Sequence, residues 1–186
     1  LTEESGGSLG EMFRRPWIRA TVFVVGLGFL IQITGINAVV YYSPKLFEDM
    51  GFTGDFGTLM LPAFVQIAGL AAVLISLFTV DRLGRRPILL GGIGAMVIAT
   101  VVLIVTYGPL HGAGTTAHVL GFAGLVLFTM GFSFGFGALV WVYAGEAFPA
   151  RLRANGSSLM LTSDLVANAI VAAFTLSLIN VIGGAG

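Results

Sequence analysis

Long apolar runs alternate with short polar turns along the chain. A spanning helix needs roughly 20 mostly apolar residues. Five segments meet that need, at about residues 18–42, 58–80, 88–107, 119–144 and 157–182. A soluble helical bundle would place polar residues every three or four positions, and the runs 70–80 and 88–105 do not. The pattern therefore predicts a polar segment over residues 1–17, followed by five transmembrane helices.

Composition narrows the class further. Of the 186 residues, 56% are hydrophobic and only 10% are charged, whereas soluble domains carry about a quarter charged residues. The net charge is zero and no basic face with interleaved aromatics occurs, so we expect no nucleic-acid partner. The chain has no cysteine, which excludes a thiol nucleophile and a thiolate metal site. We therefore expect an all-α polytopic membrane protein in a lipid bilayer, without a metal or cofactor.

The basic residues indicate an orientation. Positive residues of membrane proteins collect in cytoplasmic loops. With five spans, alternate connections share one side, and eight of the nine Lys and Arg residues then fall on the same side as the N-terminus; the exception is Lys45. The sequence therefore predicts a multi-pass protein of the cell membrane with a cytoplasmic N-terminus.

One predicted span carries a carboxylate. Asp164 lies deep in the fifth span, and Asn168 follows four residues later on the same helical face. Ionisable side chains inside a membrane are costly and usually face a cavity or a partner. We interpret the pair as lining a substrate path, with protons as a candidate co-substrate at Asp164. The alternative is a hydrogen bond that only packs two helices together.

The first span carries two amides around a glycine. Gln32 and Asn37 flank Gly35, and Tyr41 lies four residues beyond Asn37 on the same face. Because glycine weakens a helix, we expect the helix to loosen here. Amide and phenol groups suit a hydroxylated ligand. The alternatives are interhelical amide bonds and, for Tyr41, anchoring at the membrane interface.

The remaining candidates are less specific. Gln66 in the second span suits substrate binding or packing equally, and Trp141 suits a ring platform or the interfacial aromatic belt. The glycines before Trp141 predict close helix packing. The candidate substrate-binding residues are Gln32, Asn37, Tyr41, Gln66, Trp141, Asp164 and Asn168.

Two charged turns lie on the predicted cytoplasmic side. We interpret them as a gate of opposite charges between helix ends, the alternative being positive-inside anchoring alone. We also expect Asn155 to cap the start of the fifth helix. No constellation of catalytic groups is evident in the sequence, so we do not expect an enzyme. The gate candidates are Asp81, Arg82, Arg85, Arg86, Glu146, Arg151 and Arg153.

These pieces together resemble the C-terminal half of a sugar porter of the major facilitator superfamily. The matching stretches are residues 32–44, 81–87 and 141–153, in the order and spacing of helices seven to eleven. The resemblance implies a major-facilitator-type helical bundle whose two halves rock around a substrate at the membrane midplane. It implies a secondary active or facilitative transporter that moves a sugar or polyol by alternating access.

The same resemblance implies residue roles and partners. It places Gln32, Asn37, Tyr41 and Trp141 near the sugar. It also implies that the charged turns hold the outward-facing state, and that an N-terminal half and a twelfth helix complete the transporter. The turn residues concerned are Asp81, Arg85, Arg86, Glu146, Arg151 and Arg153.

The chain departs from the family pattern at several positions, and Phe136, Ala138 and Val140 stand around the Gly-rich segment where the family has prolines. Ile31 and Gly69 stand where the family usually has amides, and Asp164 stands where it often has an amide that contacts sugar. These departures leave the solute open to another polar or cationic molecule. The sequence is also compatible with a membrane sensor that binds the solute without moving it, and with an inert fragment. The sequence is compatible with symport, uniport and antiport alike.

Overall fold

In a computed structural model of the chain, the described residues are 8–49, 52, 54–108 and 114–183. They form helices joined by short turns, and no strand occurs among them. Two π-helical turns, Phe56–Met60 and Ser133–Gly137, interrupt the α-helical pattern. The helices are α1 (Leu9–Met12), α2 (Ile18–Ile33), α3 (Ile36–Asp49), α4 (Leu61–Leu83), α5 (Arg85–Tyr107), α6 (Thr115–Phe132), α7 (Ala138–Glu146) and α8 (Ala150–Gly183).

Five helical segments within the described residues are long and apolar enough to cross a membrane. The first and fourth each join two α-helices, and the second begins with a π-helical turn. The prediction of an all-α polytopic membrane protein is confirmed. The segments are Ile18–Glu48, Phe56–Leu83, Arg85–Tyr107, Thr115–Glu146 and Ala150–Thr175.

The first apolar segment is broken rather than merely loosened. Helix α2 ends at Ile33 and α3 begins at Ile36. Gly35 between them has a φ of +81°, a left-handed conformation that side chains other than glycine adopt with difficulty. The Thr34 hydroxyl donates to the carbonyl of Ile31 at 2.6 Å, which satisfies one carbonyl at the end of α2.

Helix α8 begins earlier than expected. It starts at Ala150, directly after Pro149, so Asn155 lies inside the helix and the prediction that it caps the start is wrong. Proline suits a helix start because its missing N–H is not needed there. The carbonyl of Pro149 instead accepts from the N–H of Leu152 at 2.9 Å.

The chain divides into two compact units. The first unit combines the chain up to Ala38 with the chain from Val140 onward, and the second runs from Val39 to Leu139. In the first unit α2 packs along α8, and α1 contacts α8 as well. In the second unit α6 packs against both α4 and α5, around a buried apolar core of Phe47, Leu61, Val65 and Leu125.

Glycines hold α5 and α6 close together in the second unit. A Cβ at Gly92 would lie 2.6 Å from the carbonyl oxygen of Gly131 and 2.6 Å from the Cα of Gly135. Such distances mean that the backbones touch directly, as the sequence predicted for the glycines before Trp141. The buried hydroxyl of Ser76 on α4 donates to the carbonyl of Phe134 at 2.7 Å, which satisfies a backbone group of the π-helical turn.

Candidate functional site

Two amides and a carboxylate form a hydrogen-bonded chain in the first unit. The Nδ2 of Asn37 donates to the Oε1 of Gln32 at 2.5 Å, and the Nε2 of Gln32 donates to the Oδ1 of Asp164 at 2.7 Å. The Gln32 side chain is only 6% exposed, and those of Asn37 and Asp164 are half-buried. Because both ends of the Gln32 amide are engaged, its orientation is fixed.

The break at Gly35 brings Asn37 to Gln32. In a continuous α-helix, two residues five apart point about 140° away from each other, since each residue turns the helix by about 100°. The left-handed Gly35 reorients the start of α3, and Asn37 turns back onto the end of α2. A polar pair that a straight helix would separate is thereby joined.

A glycine on α2 sets the distance to α8. A Cβ at Gly28 would lie 2.7 Å from the carbonyl oxygen of Met160 and 3.4 Å from the backbone nitrogen of Asp164. Gln32 lies one turn beyond Gly28, as Asp164 lies one turn beyond Met160. The close approach at Gly28 therefore positions Gln32 against Asp164. The hydroxyl of Ser163 strengthens the same contact by donating to the carbonyl of Val25 at 2.8 Å.

The three hydrogen-bonded side chains suit a polar solute. Amides both donate and accept hydrogen bonds, and an ionised carboxylate accepts, which matches the hydroxyl groups of a carbohydrate. No group of three or more potential metal-ligating side chains occurs in the described ranges. The donors and acceptors of this arrangement can recognise hydroxyl groups.

The other predicted contacts are distributed over both units. In the first unit, Asn168 is half-buried on α8 one turn after Asp164, and Trp141 is exposed on α7. In the second unit, Tyr41 on α3 and Gln66 on α4 are both exposed. The structure thus joins Gln32, Asn37 and Asp164 by hydrogen bonds, and the substrate roles of all seven residues stay predictions.

The first charged turn is very short, because the helices on both sides extend into the charged residues. A single residue, Gly84, separates α4 from α5. Asp81 and Arg82 belong to the last turn of α4, while Arg85 and Arg86 open α5. The four charges therefore lie at two helix ends, and their gate role stays a prediction.

An ion pair in the first unit joins a residue that sequence reasoning missed. Arg151 at the start of α8 donates to the carboxylate of Glu11 on α1. Trp17 lies shortly after Glu11 in the sequence and Phe148 shortly before Arg151. The rings of Trp17 and Phe148 pack together, with centroids 6.5 Å apart. The segment before the first span is thus attached to the start of α8. Nothing in the sequence pairs two residues 140 positions apart.

The fold and this site define a polytopic membrane protein with a polar cluster between two spanning helices, the class to which solute transporters belong. A family model described as "Sugar (and other) transporter" matches residues 2–186. The chain belongs to this family, which is one of transporters rather than enzymes. The resemblance drawn from the three sequence motifs is therefore confirmed.

Similar proteins have sugar and polyol transporter names. The chain is 31% identical to D-xylose-proton symporter-like 2 of Arabidopsis thaliana, over 99% of this chain and 36% of that protein. It is 32% identical to polyol transporter 5 of the same plant, over 82% and 29%. It is 30% identical to facilitated trehalose transporter Tret1 of Culex quinquefasciatus, over 83% and 30%. The chain spans about a third of the length of these relatives.

Proposed function

We propose that the chain forms part of a transporter that moves a sugar or polyol across the cell membrane by alternating access. The observation that carries the proposal is the pair of hydrogen bonds that link Asn37, Gln32 and Asp164. These residues lie on apolar helices of a chain that belongs to the sugar transporter family. Polar groups in spanning helices are costly unless they have a role or a partner. Here they are held on opposed helices, where a hydroxylated solute can bind.

The names of the relatives support the solute class. They comprise a D-xylose-proton symporter-like protein, a polyol transporter and a facilitated trehalose transporter. Since the chain spans about a third of each, we propose that further helices complete the transporter. The name of the D-xylose-proton symporter-like protein also favours proton coupling as the energy source of transport. The positive-inside pattern supports a cytoplasmic N-terminus.

The charged turns are our candidates for a cytoplasmic gate, on their sequence positions. Arg85→Ala combined with Glu146→Ala should favour the inward-facing state, which cysteine labelling from either side of the membrane measures. Unchanged labelling of the outer cavity would remove these two residues from the gate.

Counterflow in proteoliposomes that contain the complete transporter tests the function. Labelled D-xylose, D-glucose, sorbitol, trehalose and an organic amine form the panel. We expect uptake of at least one carbohydrate or polyol, and an apparent KM raised about tenfold by Gln32→Ala, which corresponds to 1.4 kcal/mol. Thr162→Val is the matched control, because this exposed hydroxyl donates to the Ser158 carbonyl of its own helix. Uptake of the amine alone would contradict the proposed solute class, and saturable binding without counterflow would indicate a sensor.

A further inference from the structure

The hydrogen bonds inside the polar cluster determine which groups are left for a solute. Gln32 uses one lone pair of its oxygen for Asn37 and one N–H for Asp164, so one lone pair and one N–H remain. Asn37 keeps one N–H and its oxygen. Within the described part of the chain, Gln32 is the one hydrogen-bond partner of the Asp164 side chain. Asp164 therefore retains a second carboxylate oxygen that only accepts while the group is ionised.

No basic side chain lies near the Asp164 carboxylate along α8 or along the neighbouring α2. On α8 the basic residues are Arg151 and Arg153, and on α2 the basic residue is Arg19. At 1.5 Å per residue, these are roughly 16–20 Å along the helix axes from the level of the Gln32–Asp164 contact. Along this contact, the group that the structure shows stabilising the Asp164 carboxylate is the Gln32 amide, which donates a hydrogen bond to it. A donor group on the solute would supply a second interaction.

We propose that Asp164 makes the site selective for solutes that donate a hydrogen at this point: a hydroxyl is bound, and an isosteric acceptor such as fluorine is rejected. The inference rests on the proposed function and deepens it. A site built to hydrogen-bond one solute group rejects an analogue that lacks it, because the protein group is then left unpaired. Asp164 is thus a specificity-determining residue for a hydroxyl-rich solute.

Asparagine has nearly the same shape as aspartate but different hydrogen-bonding groups, so placing it at position 164 tests the hydrogen bonding alone. In Asp164→Asn the new amide can still accept from Gln32 through its oxygen, so the α2–α8 contact is retained. Its NH2 group can then donate to the solute, which the carboxylate cannot do. We expect this variant to fold normally and to lose only the rejection of groups that do not donate.

The test is competition against labelled D-xylose uptake by the complete transporter, using the set of mono-deoxyfluoro D-xyloses. In wild type we expect at least one analogue to bind about tenfold or more weakly than D-xylose, in line with the loss of one charge-assisted hydrogen bond. In Asp164→Asn the same analogue should lie within about threefold of D-xylose. Sorbitol and its fluorinated analogues replace this series if sorbitol is the better substrate.

Two further variants separate specificity from structure. Thr162→Val on the same helix should keep the discrimination of wild type. The double variant Gln32→Glu with Asp164→Asn moves the carboxylate to α2 while keeping one donor and one acceptor in the pair. We expect it to fold with a wild-type Tm and to lose the original discrimination, whereas a purely structural role predicts that the double variant restores it.

The outcomes distinguish this inference from the function on which it rests. Uptake with discrimination that is unchanged in Asp164→Asn overturns the role of Asp164 and leaves the transporter proposal standing. Absence of uptake of every carbohydrate and polyol of the panel by wild type counts against the proposed function and overturns the inference with it. Should Asp164→Asn fail to fold, the discrimination of the double variant decides between the two roles.

Discussion

The α2–α8 contact of the first unit and the α5–α6 contact of the second unit both depend on glycines, but they differ in what the close approach achieves. At Gly28 it aligns a carboxylate with an amide one turn further on. At Gly92 it brings backbone against backbone at Gly131 and Gly135. The same device thus positions a polar cluster in one helix pair and holds two backbones together in the other. Substitutions should therefore affect function and stability differently in the two units.

The largest effect is expected at Gly92. A methyl group there would meet backbone atoms of two residues, Gly131 and Gly135, at 2.6 Å, and backbone cannot move aside as a flexible side chain can. We expect Gly92→Ala to lower the free energy of unfolding by about 3 kcal/mol, the upper end for overpacking. Denaturant titration in mixed micelles measures this. Gly94→Ala is the control, since a Cβ there meets nothing within 4 Å, and an equal loss in both variants would refute the packing argument.

A smaller loss of stability with a larger loss of function is expected at Gly28. Its added methyl group would approach one backbone oxygen, that of Met160, at 2.7 Å. Separating the helices costs about 1–2 kcal/mol and pulls Gln32 away from Asp164. We therefore expect Gly28→Ala to raise the KM for uptake severalfold, while Gly26→Ala, which meets nothing within 4 Å, changes neither quantity. Normal uptake by Gly28→Ala would separate the helix contact from the site.

Gly35 tests the break in the first span without a steric clash. A Cβ there meets nothing within 4 Å, so its φ of +81° is the constraint. A left-handed alanine costs about 1–2 kcal/mol, and relief of this strain would turn Asn37 away from Gln32. We expect Gly35→Ala to weaken solute binding and Gly35→Asn to restore much of it, because asparagine tolerates the left-handed region. Equal binding by both variants would mean that the break does not position Asn37.

The smallest effect is expected at the exposed end of the first unit. The Glu11–Arg151 pair has side chains that are 32% and 50% exposed, and exposed ion pairs contribute about 0–1 kcal/mol. A double-mutant cycle of Glu11→Gln and Arg151→Gln should return a coupling energy in that range, and it should decrease as salt is added. A coupling well above it would show that the pair does more than attach α1 to α8.

The fold was largely predictable, because apolar runs of spanning length have few alternatives in a chain with so little charge. The local breaks were less so. Gly35 predicts a weak point in the helix. Whether the helix breaks there depends on the tertiary contacts of α3, which the local sequence does not show. Asn155 was misplaced because the helix-favouring residues after Pro149 extend α8 further back than its apolar run.

The candidate site was predictable as residue types but not as contacts. Gln32, Asn37 and Asp164 were each noticeable as polar side chains in apolar spans. That Gln32 would bond to Asp164 depends on the close approach of α2 and α8 at Gly28, a tertiary feature without a local signal. The pairing of Glu11 with Arg151 is long-range for the same reason.

The central claim is that the solute binds at the Asn37–Gln32–Asp164 chain. Infrared difference spectroscopy of the complete transporter, with D-xylose and sorbitol as probes, measures the Asp164 carboxylate directly. Binding should shift a carboxylate stretching band, and that band should be missing from the difference spectrum of Asp164→Asn. A saturable spectrum whose carboxylate bands are identical in wild type and Asp164→Asn would contradict the account.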